Sequence, residues 1–183
     1  MVAGLSFALD FPRTLSLWYI EPMIYLAADH RGVSHKNGLK HYLEGGGYKV
    51  KDVGAYDFDE KDDYVDFAKA ALKEIIKDPL SHKGIFLCGS GHGMDMVANK
   101  FKGIRAALGF NKDVAEQSRE HEDANVLILA ADWLQEVEVN TIARVWLETK
   151  FTGEERHVRR LKKIEEIEEK NFSAEGGSAP GGK

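Results

Sequence analysis

The chain has 183 residues, 43% hydrophobic and 30% charged, which suits one globular domain and excludes a fibre or a long disordered chain. A formal net charge of -5 argues against a nucleic-acid scaffold, which needs a basic surface to meet phosphates, although a few local arginines could still hold a substrate phosphate. The one cysteine, Cys88, leaves no intrachain disulfide or cysteine-cluster metal site and fits a reducing cytoplasm.

No apolar run approaches the roughly 18 residues that a membrane-spanning helix needs. Residues 1–22 look only faintly like a signal peptide: Asp10 and Arg13 split the apolar run, no basic residue precedes it, and no small-x-small cleavage site follows. They read as an extension ahead of the domain, with Leu15, Leu17, Trp18 and Tyr19 as the side chains that would dock it. Met23 to Ala28 is a short apolar run ending at polar Asp29, His30 and Arg31, the pattern of a buried strand that delivers chemistry to a loop. Val33, Leu39, Tyr42 and Leu43 then mark a helix over 33–45, stopped by Gly45, Gly46 and Gly47. Alternation over 48–53 predicts a second strand, and 63–77 a second helix ended by Asp78 and Pro79.

Gly84 to Cys88 is a third apolar strand, followed by a glycine loop and a helix through about Lys100. Strands at 104–110 and 126–130 flank a helix at 112–121, and helices at 136–149 and about 155–170 follow. The tail, 171–183, is rich in Gly, Ser and Ala and is expected to be disordered, which leaves 23–170 as the domain. Strands that are continuous apolar runs and alternate with helices imply a parallel sheet covered on both faces. Ligands of such sheets bind beyond the strand C-termini, where Asp29-His30, Cys88-Gly89-Ser90 and Ala131-Asp132 all fall.

The strongest local signal is Cys88-Gly89-Ser90-Gly91-His92-Gly93-Met94. Glycines at every second position between a strand and a helix let backbone amides converge on an anionic centre, and the same arrangement should lower the pKa of Cys88. A buried strand-end cysteine or a simple tight turn would look the same, and the spacing does not give the G-x-G-x-x-G of a dinucleotide loop. Asp29-His30 suits sugar hydroxyls or a phosphate, or else a helix cap beside a surface histidine. His121, in Ser118-Arg119-Glu120-His121-Glu122-Asp123, suits moving protons near neutral pH or is an ordinary polar helix end; a metal reading is weak because three adjacent residues on a helix cannot all face one ion. Arg156 and Arg160, four apart, share a helix face and could clamp a phosphate or form a solvated charged face.

In this order, Asp29-His30-Arg31-Gly32, Asp63-Tyr64, the Cys88–Met94 loop, Ala98-Asn99-Lys100, Gly103-Ile104-Arg105-Ala106, Ser118-Arg119-Glu120-His121, Asn125-Val126-Leu127 and Arg156-His157-x-x-Arg160 resemble the type B ribose-5-phosphate isomerase family, which includes galactose-6-phosphate isomerase subunits. The resemblance runs from Met23 to about Ile167. It implies an α/β Rossmann-like three-layer sandwich with a five-stranded parallel sheet and a C-terminal helix extending to a partner subunit. It further implies a cytoplasmic homodimer with shared sites, dimers pairing into tetramers being left open. The ligand is a small sugar phosphate, isomerised between aldose and ketose without metal or organic cofactor, and neither nucleic acid nor membrane is a partner.

By the same resemblance Cys88 shuttles a proton between C1 and C2 through a cis-enediolate, Ser90 assists, and His121 opens the sugar ring. The amides of Gly89, Gly91, Gly93 and Met94 hold the enediolate oxygen and Asp29 binds hydroxyls. His30, Arg156 and Arg160 bind the phosphate, and Tyr64 lines the site. Two positions depart from the pattern: Glu122 stands where the family has Asn, and Asp132 where it commonly has a phosphate-binding Arg. These departures leave a different pentose or hexose phosphate, or a non-catalytic sugar-phosphate-binding protein, as alternatives. His92 is also unusual and could reach the sugar.

Overall fold

The computed structural model describes residues 22–172. The suggested docking of Leu15, Leu17, Trp18 and Tyr19 and the tail from Ser173 lie outside them. Five parallel strands, β1 (Ile24–Ala28), β2 (Val50–Asp52), β3 (Lys83–Cys88), β4 (Ala106–Leu108) and β5 (Val126–Ala130), form one sheet in the order β2-β1-β3-β5-β4. Six helices join or follow them: α1 (Val33–Gly45), α2 (Tyr64–Ile75), α3 (His92–Ala98), α4 (Lys112–Glu122), α5 (Glu136–Glu148) and α6 (Glu155–Phe172). This is the expected α/β sandwich.

The two layers follow from the alternation of side chains along the strands. Leu26, Ile85, Leu87, Leu127 and Leu129 face Leu39 and Leu43 of α1, Ala115 of α4, and Val139, Ile142 and Trp146 of α5. The intervening Ala27, Phe86, Cys88 and Ile128 face Ala68, Ala71, Leu72 and Ile75 of α2 with Met94 and Ala98 of α3. β1 and β5 are buried at every position, so an unbroken apolar run is what a strand covered on both faces requires.

Side-chain caps fix where several helices begin. Asp63 accepts from the Val65 amide at the head of α2, and Asn111 accepts from Val114 at the head of α4. Gln135 and Glu138 form a capping box on α5. The two edge strands are shorter than their sequence patterns suggest, each having one strand neighbour only. β4 gains a substitute partner: the Asn99 side chain accepts from the Ala106 amide and donates to its carbonyl, which also ends α3 two residues early.

The chain after β1 winds one way to β2, whereas the chain after β3 winds the other way to β4. The reversal falls between the C-terminal ends of β1 and β3, the crevice position at which open sheets of this kind bind ligands.

Candidate functional site

The crevice is built from the loops after β1, β3 and β5. Asp29, 6% exposed, uses Oδ1 to accept from the amides of Arg31 and Gly32 at 3.0 and 3.1 Å. It thus does fasten the turn into α1, as a helix cap would. Burial nevertheless pushes its carboxyl above the usual carboxylate range, against the pull of those two amides and of His30. The His30 Nδ1 meets Asp62 Oδ1 at 2.6 Å and the ring stands edge-on to Phe58. The hydrogen bond to Asp62 raises the pKa of His30 and favours imidazolium beside the crevice. Gly32 is obligatory here, since a Cβ would sit 2.5 Å from the Leu87 carbonyl oxygen.

Cys88 ends β3 and is 4% exposed. The backbone amides of Met94, Gly91 and Gly93 favour the thiolate, but burial pushes the thiol up by more, with the Asp29 charge adding to it. The expected lowering of this pKa is therefore corrected: within one subunit, desolvation outweighs three amides. Gly91 caps α3 with φ 80°, a backbone that an L side chain rarely adopts. Ser90 is half-buried and its Oγ accepts weakly from the His92 amide at 3.4 Å. Tyr64, first residue of α2, lies so close over α3 that a Cβ on Gly93 would be 2.6 Å from its ring. Cys88, Gly89, Ser90, Gly91, Gly93, Met94, Asp29, His30 and Tyr64 thus gather at this one end of the sheet.

His121, Arg156 and Arg160 do not. α4 runs back along the sheet, and Arg105, one residue before β4, donates its guanidinium to the Glu122 and Asp123 carbonyls beside His121. His121 is therefore at the N-terminal edge of the strands, whereas Cys88 pairs with Ala130, the last residue of β5. Five strand residues at about 3.3 Å each separate the two edges. The start of α6 shares the far edge: Thr152 donates to the Glu120 carbonyl, and the His157 ring stacks on His121 at 4.3 Å and 15°. Arg156 there pairs with Glu154 at 2.8 Å. His157 is 1% exposed with no hydrogen-bond partner for either ring nitrogen among the described residues. Burial, followed by the His121 charge, lowers its pKa and favours the neutral ring.

α6 continues across its own subunit's lower edge, where Glu168 accepts from the Gly103 amide at 3.0 Å. Its Val158, Ile164, Ile167 and Phe172 remain exposed. Trp146 of α5 is wholly buried in its own core, with the Arg119 guanidinium 5.6 Å over the ring.

Sequence reasoning missed three contacts. Arg31 pairs side-on with Asp132, Nε to Oδ1 at 3.1 Å and Nη2 to Oδ2 at 2.5 Å, so the carboxylate that should repel a phosphate is tied to a guanidinium. His92 stands edge-on to exposed Trp133 at 6.2 Å. Lys36 of α1 is fully buried in an ion pair with Asp52. Arg31 and Asp132 are 101 positions apart; only their shared place at strand C-termini could have linked them.

Residues 24–164 match the family described as Ribose/Galactose Isomerase. The chain is 38% identical over 141 residues to "Probable ribose-5-phosphate isomerase B" of Mycoplasma genitalium, covering 77% of this chain and 92% of that one. It is 34% identical over 145 residues to "Ribose-5-phosphate isomerase B" of Mycolicibacterium paratuberculosis, covering 79% and 91%. Among solved structures it is similar to ribose-5-phosphate isomerase B from Mycoplasma genitalium with bound ribulose-5-phosphate, with TM-score 0.78, 37% identity, and 80% and 96% of the two chains covered. The Clostridium thermocellum ribose-5-phosphate isomerase B structure gives TM-score 0.77 at 37% identity, covering 82% and 99%. The match covers most of the chain at both the sequence and the fold level, and the protein belongs to the ribose/galactose isomerase family.

Proposed function

We propose that the protein interconverts an aldose phosphate and a ketose phosphate, ribose 5-phosphate and ribulose 5-phosphate, with Cys88 as the base. The observation that carries this reading is Cys88 at the end of β3, close enough to Asp29 to feel its charge and followed by the Gly89–Met94 loop whose amides favour the thiolate, at the C-terminal ends of β1 and β3. The ribulose-5-phosphate bound in the Mycoplasma genitalium relative supports the sugar.

In the open-chain aldose, the Cys88 thiolate takes the proton from C2. The electron pair forms the C1–C2 double bond and moves charge onto O1. The thiol then returns the proton to C1 while the O2 proton passes to O1, leaving the carbonyl at C2. Ser90, on the same loop, is placed to relay that second proton. Charge develops on O1 as the C2 proton leaves, and the backbone amides of the Cys88–Met94 loop are the preorganised donors available to it, which is where an enzyme gains most.

Ring opening by His121 and phosphate binding by Arg156 and Arg160 then fall to a second copy of the chain, because their own subunit carries them at the wrong edge of the sheet. The non-catalytic alternative drew on Glu122 and Asp132; Asp132 is neutralised by Arg31. One experiment tests both parts of the reading: mixing Cys88→Ala and His121→Ala chains after unfolding and refolding together. Each alone should be inactive on ribose 5-phosphate, while random pairing restores about a quarter of native turnover, since half the dimers carry one intact site of two. No restoration from mixed chains would refute the shared site, and full activity of the Cys88→Ala protein would refute the base.

A further inference from the structure

We propose that Arg31, held in place by Asp132, is a specificity-determining residue that donates to the phosphoryl group of the substrate from the subunit's own half of the site. The proposal rests on the sugar-phosphate reading for the identity of the ligand and adds a residue to which that reading gives no role.

Position comes first. In the strand order β1-β3-β5 the central strand ends in Cys88-Gly89, and Arg31 from the β1 loop reaches across it to Asp132 from the β5 loop. The pair lies directly on the loop: a Cβ on Gly89 would be 2.7 Å from Arg31 Nε and 2.9 Å from Asp132 Oδ2. The guanidinium is thus adjacent to the residue that follows the proposed base.

Donor accounting comes second. A guanidinium has five N–H groups, and the side-on pairing uses Nε and one hydrogen of Nη2. Nη1 has no hydrogen-bond partner among the described residues, so its two donors and the second Nη2 hydrogen remain for a ligand. Two adjacent nitrogens with free hydrogens are the fork that suits phosphate oxygens.

Exposure comes third. The two side chains are 55% and 29% exposed, and an ion pair so placed contributes little to stability. Fastening the loops is a weak reason for it; holding a long, flexible arginine at a fixed spot over a site is a better one. His30 precedes Arg31 and is itself pinned by Asp62, so two cationic donors stand side by side on the β1 loop.

The test measures inorganic phosphate binding by calorimetry and the kinetics of ribose 5-phosphate turnover in the full chain. Arg31→Ala should weaken phosphate binding and raise KM by about tenfold or more, with a smaller change in kcat, as expected for loss of charge-assisted hydrogen bonds. Arg31→Lys should recover part of this, because an ammonium keeps the charge but not the fork. Asp132→Ala should cost less than Arg31→Ala, since the guanidinium survives with freer placement. Phosphate and substrate binding by Arg31→Ala within twofold of native would overturn the proposal, as would equal losses in Arg31→Ala and Asp132→Ala, the signature of a purely structural pair. A native chain that binds no phosphate at millimolar concentration would overturn it too. A native chain that binds phosphate through Arg31 yet turns over no sugar phosphate would leave this inference standing and refute the isomerase reading.

Discussion

Gly91→Ala perturbs the site and the fold at one atom. Gly91 has φ 80° and ψ -26° as the N-cap of α3, and an added Cβ would lie 2.5 Å from Leu108 Cδ1 and 3.3 Å from Ile128 Cγ2. The backbone conformation costs an L residue about 1–2 kcal/mol. Crowding against Leu108 adds about 1–3 kcal/mol, the lower figure applying if that side chain swings aside. Together these give about 2–5 kcal/mol, which in a domain of this size lowers Tm by about 5–15 °C. If the loop escapes by rotating the peptide, the Gly91 amide turns out of the site, and loss of one oxyanion donor costs about a hundredfold in kcat. The assays are thermal melting followed by circular dichroism, and turnover measured well below the variant's Tm. Gly45→Ala is the control: Gly45 ends α1 with nothing within 4 Å of its would-be Cβ, so it should be neutral or gain about 0.5–1 kcal/mol. A Gly91→Ala protein that melts and turns over like the native chain would refute both the strain and the amide argument.

Asp52→Asn strips the partner from Lys36, which is 0% exposed, and should destabilise by about 3–5 kcal/mol in urea unfolding. Lys36→Met should cost clearly less, because Asp52 is 11% exposed and keeps the Gly54 amide; equal costs would contradict the asymmetry. His157 has a lowered pKa, so below its ordinary value near 6.5 the unfolded chain binds a proton that the fold refuses, and stability falls as pH drops from about 7 towards 5. His157→Phe should make Tm fall less over that range than it does in the native chain; an unchanged pH slope would show that the ring is not held neutral.

The layers and most helix positions were legible because buried parallel strands need unbroken apolar runs and glycine or proline punctuates what lies between. The gathering of Asp29, Cys88 and Ser90 was legible for a topological reason, all lying at or just beyond the ends of two strands of the same direction. The misreadings have physical causes of another kind. Cys88 was read as acidified because three amides can be inferred from a glycine spacing, whereas the desolvation that outweighs them is a property of the packed sheet. Lys36 stands in α1 as an unremarkable polar residue, and only the β2 end beside it reveals a buried charge pair. Arg31 and Asp132 looked like one neutral motif position and one adverse substitution until the order β1-β3-β5 brought them together.

The separation of Cys88 from His121 follows from chain direction. A helix that links two parallel strands must run antiparallel to them, so a residue in the last turn of α4 stands at the strands' N-terminal edge, and a residue at the end of β3 at the opposite one. No loop rearrangement short of refolding changes that. For both to act on one sugar, a second copy must approach with its sheet reversed, and a two-fold axis across the strands does this while creating two identical sites. The electrostatics point the same way. In a single subunit the thiol is pushed up by burial and by Asp29; the guanidinium groups of Arg156 and Arg160 on a second copy, if brought to the sulfur, would oppose that shift. On this account assembly supplies the charge that makes the sulfur a base at neutral pH, and turnover per chain should fall on dilution as pairs dissociate. A diluted, monomeric chain with native kcat would show instead that one subunit activates its own thiol.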